Sequence, residues 1–267
     1  SKHGRVVKVL NTGAVEDDFY VQFQGTGGIN GPGLWIETVS PSKSTGIKET
    51  TMVHELVCTA KNTFKFQAIL WAKRKAGDDV TNEHPSFIDK KIQQAFFYNN
   101  RLGFLTEDNV SMSQSADFTN LYAVSARTLV DNDPIDLNVS STRPAKLHGI
   151  IPTAQGLVLF SQNQQFIMFS ADGNLSPKTA LIRALSNYKM DGNIDPVEVG
   201  TGINFVTKAY DSGGFTRVFS MVPRGNQESP DIVDIGRIVA EYIPSTVDSL
   251  ISSPQNSFIA LYGRTIQ

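Results

Sequence analysis

Short runs of apolar residues alternate with polar, turn-forming stretches along the whole chain. Three runs rich in Val, Ile, Phe and Tyr lie near the start, at residues 6–10, 19–23 and 34–39. Runs of this length and composition are typical of β-strands, so we predict a small antiparallel sheet. The glycine-rich residues 25–33 predict a flexible hairpin connection, since no Gly-Lys-Ser/Thr sequence follows that would indicate a phosphate-binding loop.

The segment that follows has a mixed pattern. Residues 40–49 are polar and predict a loop, whereas residues 50–89 carry aromatic side chains that we expect to anchor the segment in a core, namely Phe64, Phe66, Trp71 and Phe87. Helical candidates are few. Residues 88–94 fit one or two helical turns, and residues 177–188 fit a short helix or a strand.

A repeated pattern occupies the second half of the chain. Each unit has a small residue, a short apolar strand, a tight polar turn and a second strand, and the units begin at residues 103, 156, 202 and 257. The period is roughly 45 to 55 residues, as expected for the blades of a β-propeller. The alternative is a non-repeating β-sandwich with hairpins of similar length.

The repeat count and the small sheet together predict the fold class. We expect a mainly β protein with little helix, in which incomplete β-propeller-like blades follow a small antiparallel β domain. The predicted division is a small β domain over residues 1–50, a connecting segment over 51–90 and partial blades over 91–267. Three and a half blades do not close a ring. The chain is therefore expected to be an internal fragment of a longer protein, or to have other segments covering its sheet edges.

Composition narrows the function classes. With 24 basic and 26 acidic side chains among 267 residues, the net charge of -2 argues against a dedicated duplex-DNA binder with a broad basic face. Cys58 is the single cysteine, so the chain has no internal disulfide and no Cys-rich zinc module. No apolar run approaches the length of a membrane helix.

Catalytic and metal-binding patterns are weak. Residues 54–58 begin like a zinc-protease motif, but Cys58 stands where the second His is needed, which favours a surface His. Residues 131–136 begin like a calcium loop, but Ile135 occupies a ligand position, which favours an Asp-rich turn. The sequence therefore predicts no catalytic, cofactor-binding or metal-binding residue.

Three short charged groups have similar ordinary explanations. The adjacent pairs Asp17-Asp18 and Asp78-Asp79 could act in acid–base catalysis, but neighbouring residues of a strand point to opposite faces, so solvated turns are expected. The basic run Lys73-Arg-Lys75 could contact a phosphate backbone, but three charges in a balanced chain usually form a solvated face.

Several motifs occur together in a specific order. The most distinctive is Phe-Phe-Tyr-Asn-Asn-Arg-Leu-Gly-Phe-Leu at residues 96–105, followed by Val-Ser-Met-Ser at 110–113. Further matching stretches lie at 34–39, 51–56, 71–79, 81–82, 85–87, 131–136, 140–141, 159–161, 165–166 and 242–244. This ordered set resembles the nozzle proteins of short-tailed, T7-like bacteriophages, also called tail tubular protein B. The resemblance covers most of the chain; it is loose over residues 186–224, and Glu83-His84 depart from the family spacing.

The resemblance implies a structural role without enzyme activity or cofactors. Nozzle subunits form a homohexameric ring at the distal end of a short tail, with an upper gatekeeper or adaptor ring and tail fibres as partners. Genomic DNA leaves through the ring without specific binding. The implied location is the tail of the virion, with assembly in the host cytoplasm. The motif residues Asn100, Arg101, Gly103, Asp133 and Asp136 are then expected to form a tight turn and buried caps for backbone groups.

Two other function classes fit the repeat pattern. A carbohydrate- or receptor-binding propeller would carry clustered exposed aromatic residues on the loops at one face. A glycan hydrolase would need two carboxyl groups roughly 5 to 9.5 Å apart in a cleft, for which Asp133 and Asp136 are the candidates.

Overall fold

The computed structural model describes residues 1–14, 18–141, 144–209, 214–224, 228–239 and 241–263. Throughout these ranges the chain forms antiparallel strands linked by turns, with four short 3-10 segments at Thr26–Gly28, Glu49–Thr51, Arg237–Val239 and Pro254–Asn256. The described residues contain no helix that is long and apolar enough to cross a membrane. The mainly β fold class is confirmed.

The predicted N-terminal sheet is confirmed. Its strands β1 (Val6–Val9), β2 (Phe19–Gly25) and β3 (Gly33–Thr38) pair in the order β1-β2-β3. Glu37 attaches the sheet to a later loop, because its carboxylate accepts hydrogen bonds from Ser125 Oγ at 2.8 Å and from the backbone N–H of Ala126 at 2.7 Å. The guanidinium of Arg127 lies 4.8 Å from the ring centre of Phe19, which adds a second contact between the sheet and this loop.

A two-stranded ribbon replaces the aromatic anchors expected in the next segment. Strands β4 (His54–Ala60) and β5 (Thr63–Ala68) form an antiparallel pair with no third strand among the described residues. Phe64 and Phe66 lie on this ribbon and are 61% and 70% exposed, so the prediction that they anchor a core is wrong. Trp71 and Phe87, in contrast, are buried as predicted.

Three four-stranded antiparallel sheets follow one another along the chain. Each has its strands in sequence order, the arrangement of a propeller blade. The first sheet contains β6 (Gln94–Tyr98), β7 (Arg101–Leu105), β8 (Asn109–Met112) and β9 (Ile135–Asn138). The second contains β10 (Leu147–Thr153), β11 (Gly156–Ser161), β12 (Gln165–Ser170) and β13 (Ala180–Ser186). The third contains β14 (Val197–Val199), β15 (Gly202–Ala209), β16 (Phe215–Val222) and β17 (Asp231–Asp234).

Neither predicted helical stretch forms a helix. Residues 86–89 form a turn and β6 begins at Gln94, so the helix expected over 88–94 is wrong. Of the two alternatives for residues 177–188, the strand is correct, since β13 occupies most of the stretch. In the second stretch, pairing of β13 with β12 along residues 180–186 outweighs the local helix preference.

Consecutive sheets stack face to face. In β11, Leu157 and Leu159 point into the cluster shared with the first sheet, whereas Val158 and Phe160 point into the cluster shared with the third. This alternation follows from the two-residue period of a strand. Because both faces are covered, β11 and β12 are buried along their whole lengths. An apolar core therefore lies between each pair of consecutive sheets.

The two ends of the stack are covered differently. The outer face of the first sheet, represented by Phe104, is covered by Met52, Trp71, Phe87 and Leu121 from the preceding segment and a loop. The third sheet is followed by a pair of strands, β18 (Ser249–Ser253) and β19 (Phe258–Tyr262), in the place of a fourth blade. These two strands pack on the third sheet through a fourth apolar cluster.

Candidate functional site

The turn between β6 and β7 requires left-handed backbone. Asn99 and Asn100 have φ values of 45° and 57°, and Tyr98 pairs directly with Arg101 across the turn. Two-residue hairpin turns with positive φ at both positions favour Asn, because its short polar side chain tolerates this conformation. Gly103 follows on β7, where a side chain would overlap the ring of Phe96. These residues therefore fix the first hairpin of the stack.

Arg101 is a buried cation that binds main-chain oxygens. Its Nη1 donates to the carbonyl oxygens of Ser113 at 2.8 Å, Asn132 at 3.2 Å and Asp133 at 2.6 Å. Its Nη2 donates to the carbonyl oxygen of Asp131 at 2.8 Å. Burial lowers the pKa of the guanidinium. These bonds tie the loop before β9 to the end of β8.

The carboxylates of Asp133 and Asp136 are also committed to local contacts. Asp133 is fully buried and accepts hydrogen bonds from the backbone N–H groups of Val124 at 3.0 Å and Val130 at 2.8 Å. Asp136 accepts from Asn109 Nδ2 at 2.6 Å and from other donors on β8 and the preceding segment. Each carboxylate thus holds backbone or side-chain donors within the fold.

Arg74, at the centre of the basic run, forms a second buried centre. The flanking Lys73 and Lys75 are exposed, but Arg74 is 2% exposed, which makes the expected solvated face wrong at this residue. Its guanidinium donates to the carbonyl oxygens of Asp78 and Asn82 at 2.9 and 2.8 Å, and to a third carbonyl on the polar loop. Arg74 therefore connects the polar loop at residues 40–49 to the turn at residues 78–82.

Asp79 forms an ion-paired site at the surface beside Arg74. Its carboxylate binds Lys43 Nζ and Arg74 Nη2, each at 2.8 Å. These two cations lower the pKa of Asp79 to about 2, with the Lys43 hydrogen bond as the larger cause. Asp78 instead accepts backbone N–H groups of Val80 and Thr81, as in an Asp-initiated turn.

A histidine and a tyrosine lie next to this centre. His84 Nδ1 is 2.7 Å from the hydroxyl oxygen of Tyr122. Burial lowers the pKa of His84, and nearby Arg74 adds to this effect. Burial also raises the pKa of Tyr122 to about 12. Both groups are therefore neutral near pH 7, and their contact is a structural hydrogen bond between uncharged partners.

The other sequence candidates lie apart. His54 and Cys58 are exposed on strand β4 rather than on a helix. Asp18 is buried and paired with Lys8 at 2.8 Å, so the solvated turn expected there is wrong, and Asp17 lies outside the described residues. Within the described part of the chain, no group of three His, Cys, Asp or Glu residues is placed to hold a metal ion.

Uncovered apolar surfaces are the feature that the sequence did not reveal. On the ribbon, Leu56 is 66% exposed beside the exposed Phe64 and Phe66. A second surface lies on β17 and the loop after it, where Ile238 is 98% and Tyr242 is 83% exposed. Exposed apolar groups of this size mark interaction surfaces in soluble proteins. An alternating apolar pattern predicts core positions, and the sequence alone does not indicate which apolar face of a strand pair remains exposed.

Comparison with known proteins agrees with the ordered motifs. Residues 1–266 match the family described as bacteriophage nozzle protein. The tail tubular protein gp12 of Escherichia phage T7 is 28% identical over 260 residues. This match covers 97% of the present chain but 32% of the relative, so the chain spans about a third of the relative's length. The resemblance predicted from the motifs is confirmed.

Proposed function

Since this chain belongs to the bacteriophage nozzle protein family, we propose that it serves as part of a nozzle subunit, a structural component of a short phage tail. The observation that carries the proposal is the family match along residues 1–266. The contacts of the motif residues support it, because Arg101 and Asp133 bind backbone groups of their own fold. Such contacts stabilise the fold, as expected of motif residues with a structural role.

The proposed subunit assembles into a homohexameric ring in the virion tail, next to an upper tail ring and tail fibres. Genomic DNA passes through the ring without specific contacts. A channel should hold DNA weakly, because every neutralised phosphate adds affinity and slows passage. The net charge of -2 is compatible with this requirement. Assembly in the host cytoplasm and the absence of enzyme activity belong to the same proposal.

The chain contributes three parts to that subunit. We assign a small β domain to residues 1–50, a connecting segment to 51–90 and propeller-like blades to 91–267. The outer face of β18 and β19 exposes Ile251, Phe258 and Tyr262 by 50–60%. Among the described residues, the facing surfaces of consecutive sheets cover one another, so we propose that a further blade of the same polypeptide covers this face.

Virion assembly with a tagged subunit tests the proposal. A phage that carries this chain in its natural polypeptide, with a gold-binding tag on that polypeptide, should show label at the distal end of the tail by electron microscopy. A phage in which the coding region is deleted should produce DNA-filled heads without a complete tail. Label on the head, or complete infectious tails after deletion, would contradict the proposal.

A further inference from the structure

The ribbon has its apolar and polar faces reversed. Leu56 pairs with Phe66 across the two strands, and Cys58 pairs with Phe64 on the same face. All four side chains are exposed, and we call this surface the ribbon face. On the opposite face, Glu55, Val57 and Gln67 are half-buried although two of the three are polar, and Gln67 donates a hydrogen bond to the carboxylate of Glu55. In an antiparallel strand pair with one face exposed to solvent, the polar face is expected to be the exposed one.

The ribbon also stands away from the core to which it is attached. The chain leaves the core after the buried Met52 and returns at the buried Trp71, and both residues belong to the cluster that covers the first sheet. Neither long edge of the ribbon pairs with another strand among the described residues. An isolated strand pair is marginally stable in water, so a partner for its apolar face would stabilise it.

A second apolar surface lies at the far side of the stack. It begins on the edge strand β17 and continues into the loop that follows. The outer-strand patch, as we call it, consists of Val233, Ile235, Ile238, Val239 and Tyr242, which are 48–98% exposed. The loop is folded rather than extended, since the N–H of Tyr242 donates to the carbonyl of Val239 at 2.9 Å.

The two surfaces belong to opposite ends of the described structure. The ribbon is attached at the outer face of the first sheet, and the outer-strand patch lies on the third sheet. Stacked sheets lie about 10 Å apart, so the two attachment points are separated by about 20 Å or more. A ring of identical subunits joined head to tail needs two different patches on opposite flanks of each subunit. This chain supplies both.

The area of the ribbon face fits one contact in a ring. Two phenylalanines that each expose about two thirds of roughly 200 Å², together with Leu56, give an apolar surface on the order of 400 Å². A stable two-chain interface buries about 800 Å² on each partner. The ribbon face alone is therefore too small for an isolated dimer, but it is adequate where further contacts close the ring.

We infer that the ribbon face of one copy docks on the outer-strand patch of a second copy of this chain. The inference rests on the proposed function, because it assumes that subunits assemble head to tail in the tail. It names the surfaces that meet: Leu56 and Phe66 on one copy, and Ile238 and Tyr242 on the next.

Photo-crosslinking in assembled tails tests the contact. The photoreactive amino acid p-benzoylphenylalanine replaces Phe66 in the full polypeptide, and irradiated particles are digested and examined by mass spectrometry. Mixing isotopically light and heavy subunits separates links between copies from links within one copy. Lys65 is the matched control position, since it is an exposed neighbour on the other face of the same ribbon. We expect links from position 66 to residues 231–239 or 241–248 of another copy, and none to these residues from position 65.

Other outcomes separate the inference from the proposed function. Assembled rings in which position 66 crosslinks within its own copy, to a different tail protein, or to nothing would overturn the inference and leave the proposed function standing. If the wild-type polypeptide enters no tail particle, the proposed function itself fails.

A variant pair gives a second, independent readout. The double substitution Leu56→Ser and Phe66→Ser should reduce the yield of assembled rings about tenfold or more, because central apolar contacts dominate interface affinity. The control Lys61→Ser and Lys65→Ser should assemble like wild type. Both variants should melt near the wild-type temperature as isolated chains, because none of the four side chains is buried. Unchanged ring yield with the first variant would contradict the docking.

Discussion

The guanidinium of Arg101 binds the main-chain carbonyl oxygen of Asp133 at 2.6 Å, not its carboxylate. The carboxylate instead accepts hydrogen bonds from the backbone N–H groups of Val124 and Val130. One residue thus accepts on its backbone from the arginine and on its side chain from a neighbouring loop. The charged groups of Arg101 and Asp133 therefore hold backbone segments together by hydrogen bonds.

Removing the cation should destabilise the fold. Arg101→Leu leaves the buried carbonyl oxygens of Ser113 and Asp133 without the donor that they have in the wild type, and each such group costs about 1–3 kcal/mol. We expect a loss of about 3 kcal/mol or more in the free energy of unfolding, measured by urea denaturation of this chain. Arg5→Leu, at an exposed position, should stay within about 0.5 kcal/mol of wild type. Equal stability of the two variants would refute the fastening role of Arg101.

The close approach of Gly103 to Phe96 gives a second stability prediction. Gly103→Ala places a methyl group inside the aromatic ring of Phe96, so the ring or the strand must move. Overpacking of this kind costs about 1–3 kcal/mol. Gly46→Ala is the control, because its added methyl meets nothing closer than 3.8 Å. Adding Phe96→Leu to the Gly103 variant should recover part of the loss, and failure to recover any would count against the contact.

Acid should remove the contribution of Asp79. Its pKa is lowered to about 2 in the folded chain, against about 3.9 in an unfolded chain. A lowered pKa means that the ionised form is favoured by folding, so the stabilisation is present above about pH 4 and is lost as pH falls through about 2. The difference in melting temperature between wild type and Asp79→Asn should shrink over that window. Asp89→Asn is the control, and an Asp79 difference that does not vary with pH would contradict the ion-paired assignment.

The carboxylates Asp133 and Asp136 should matter for stability and not for turnover. Asp133→Asn replaces one acceptor oxygen with a donor that faces a backbone N–H, so we expect a loss of about 1–3 kcal/mol. Incubation of wild type with cell-wall and surface glycans should release no reducing sugar. Sugar release by wild type that disappears in both Asp133→Asn and Asp136→Asn would instead establish the glycan hydrolase.

The repeated hairpins were predictable because each has a strong local signature. The unit starts at Gly103, Gly156 and Gly202 lie on the second strands of the three sheets, and the start of the fourth unit at residue 257 is followed by β19, which pairs with β18. Their alternating apolar residues and turn residues specify strands without reference to distant contacts.

Tertiary contacts decided the features that the sequence did not reveal. Phe64 and Phe66 have the alternation of a core-facing strand, yet they point to solvent on the ribbon. Arg74 stands in a run of basic residues and is nevertheless buried, because it binds carbonyl oxygens of the turn at residues 78–82 and of Ser44, which lies 30 residues away in the chain. The spatial convergence of such groups is not encoded in any local window.

Electron microscopy of the full polypeptide that contains this chain, alone and with its tail partners, tests the nozzle assignment most directly. The assignment predicts class averages with a six-fold ring and an axial opening of about 20 Å, wide enough for duplex DNA. Single particles that never close into a ring, even with the tail partners present, would contradict it.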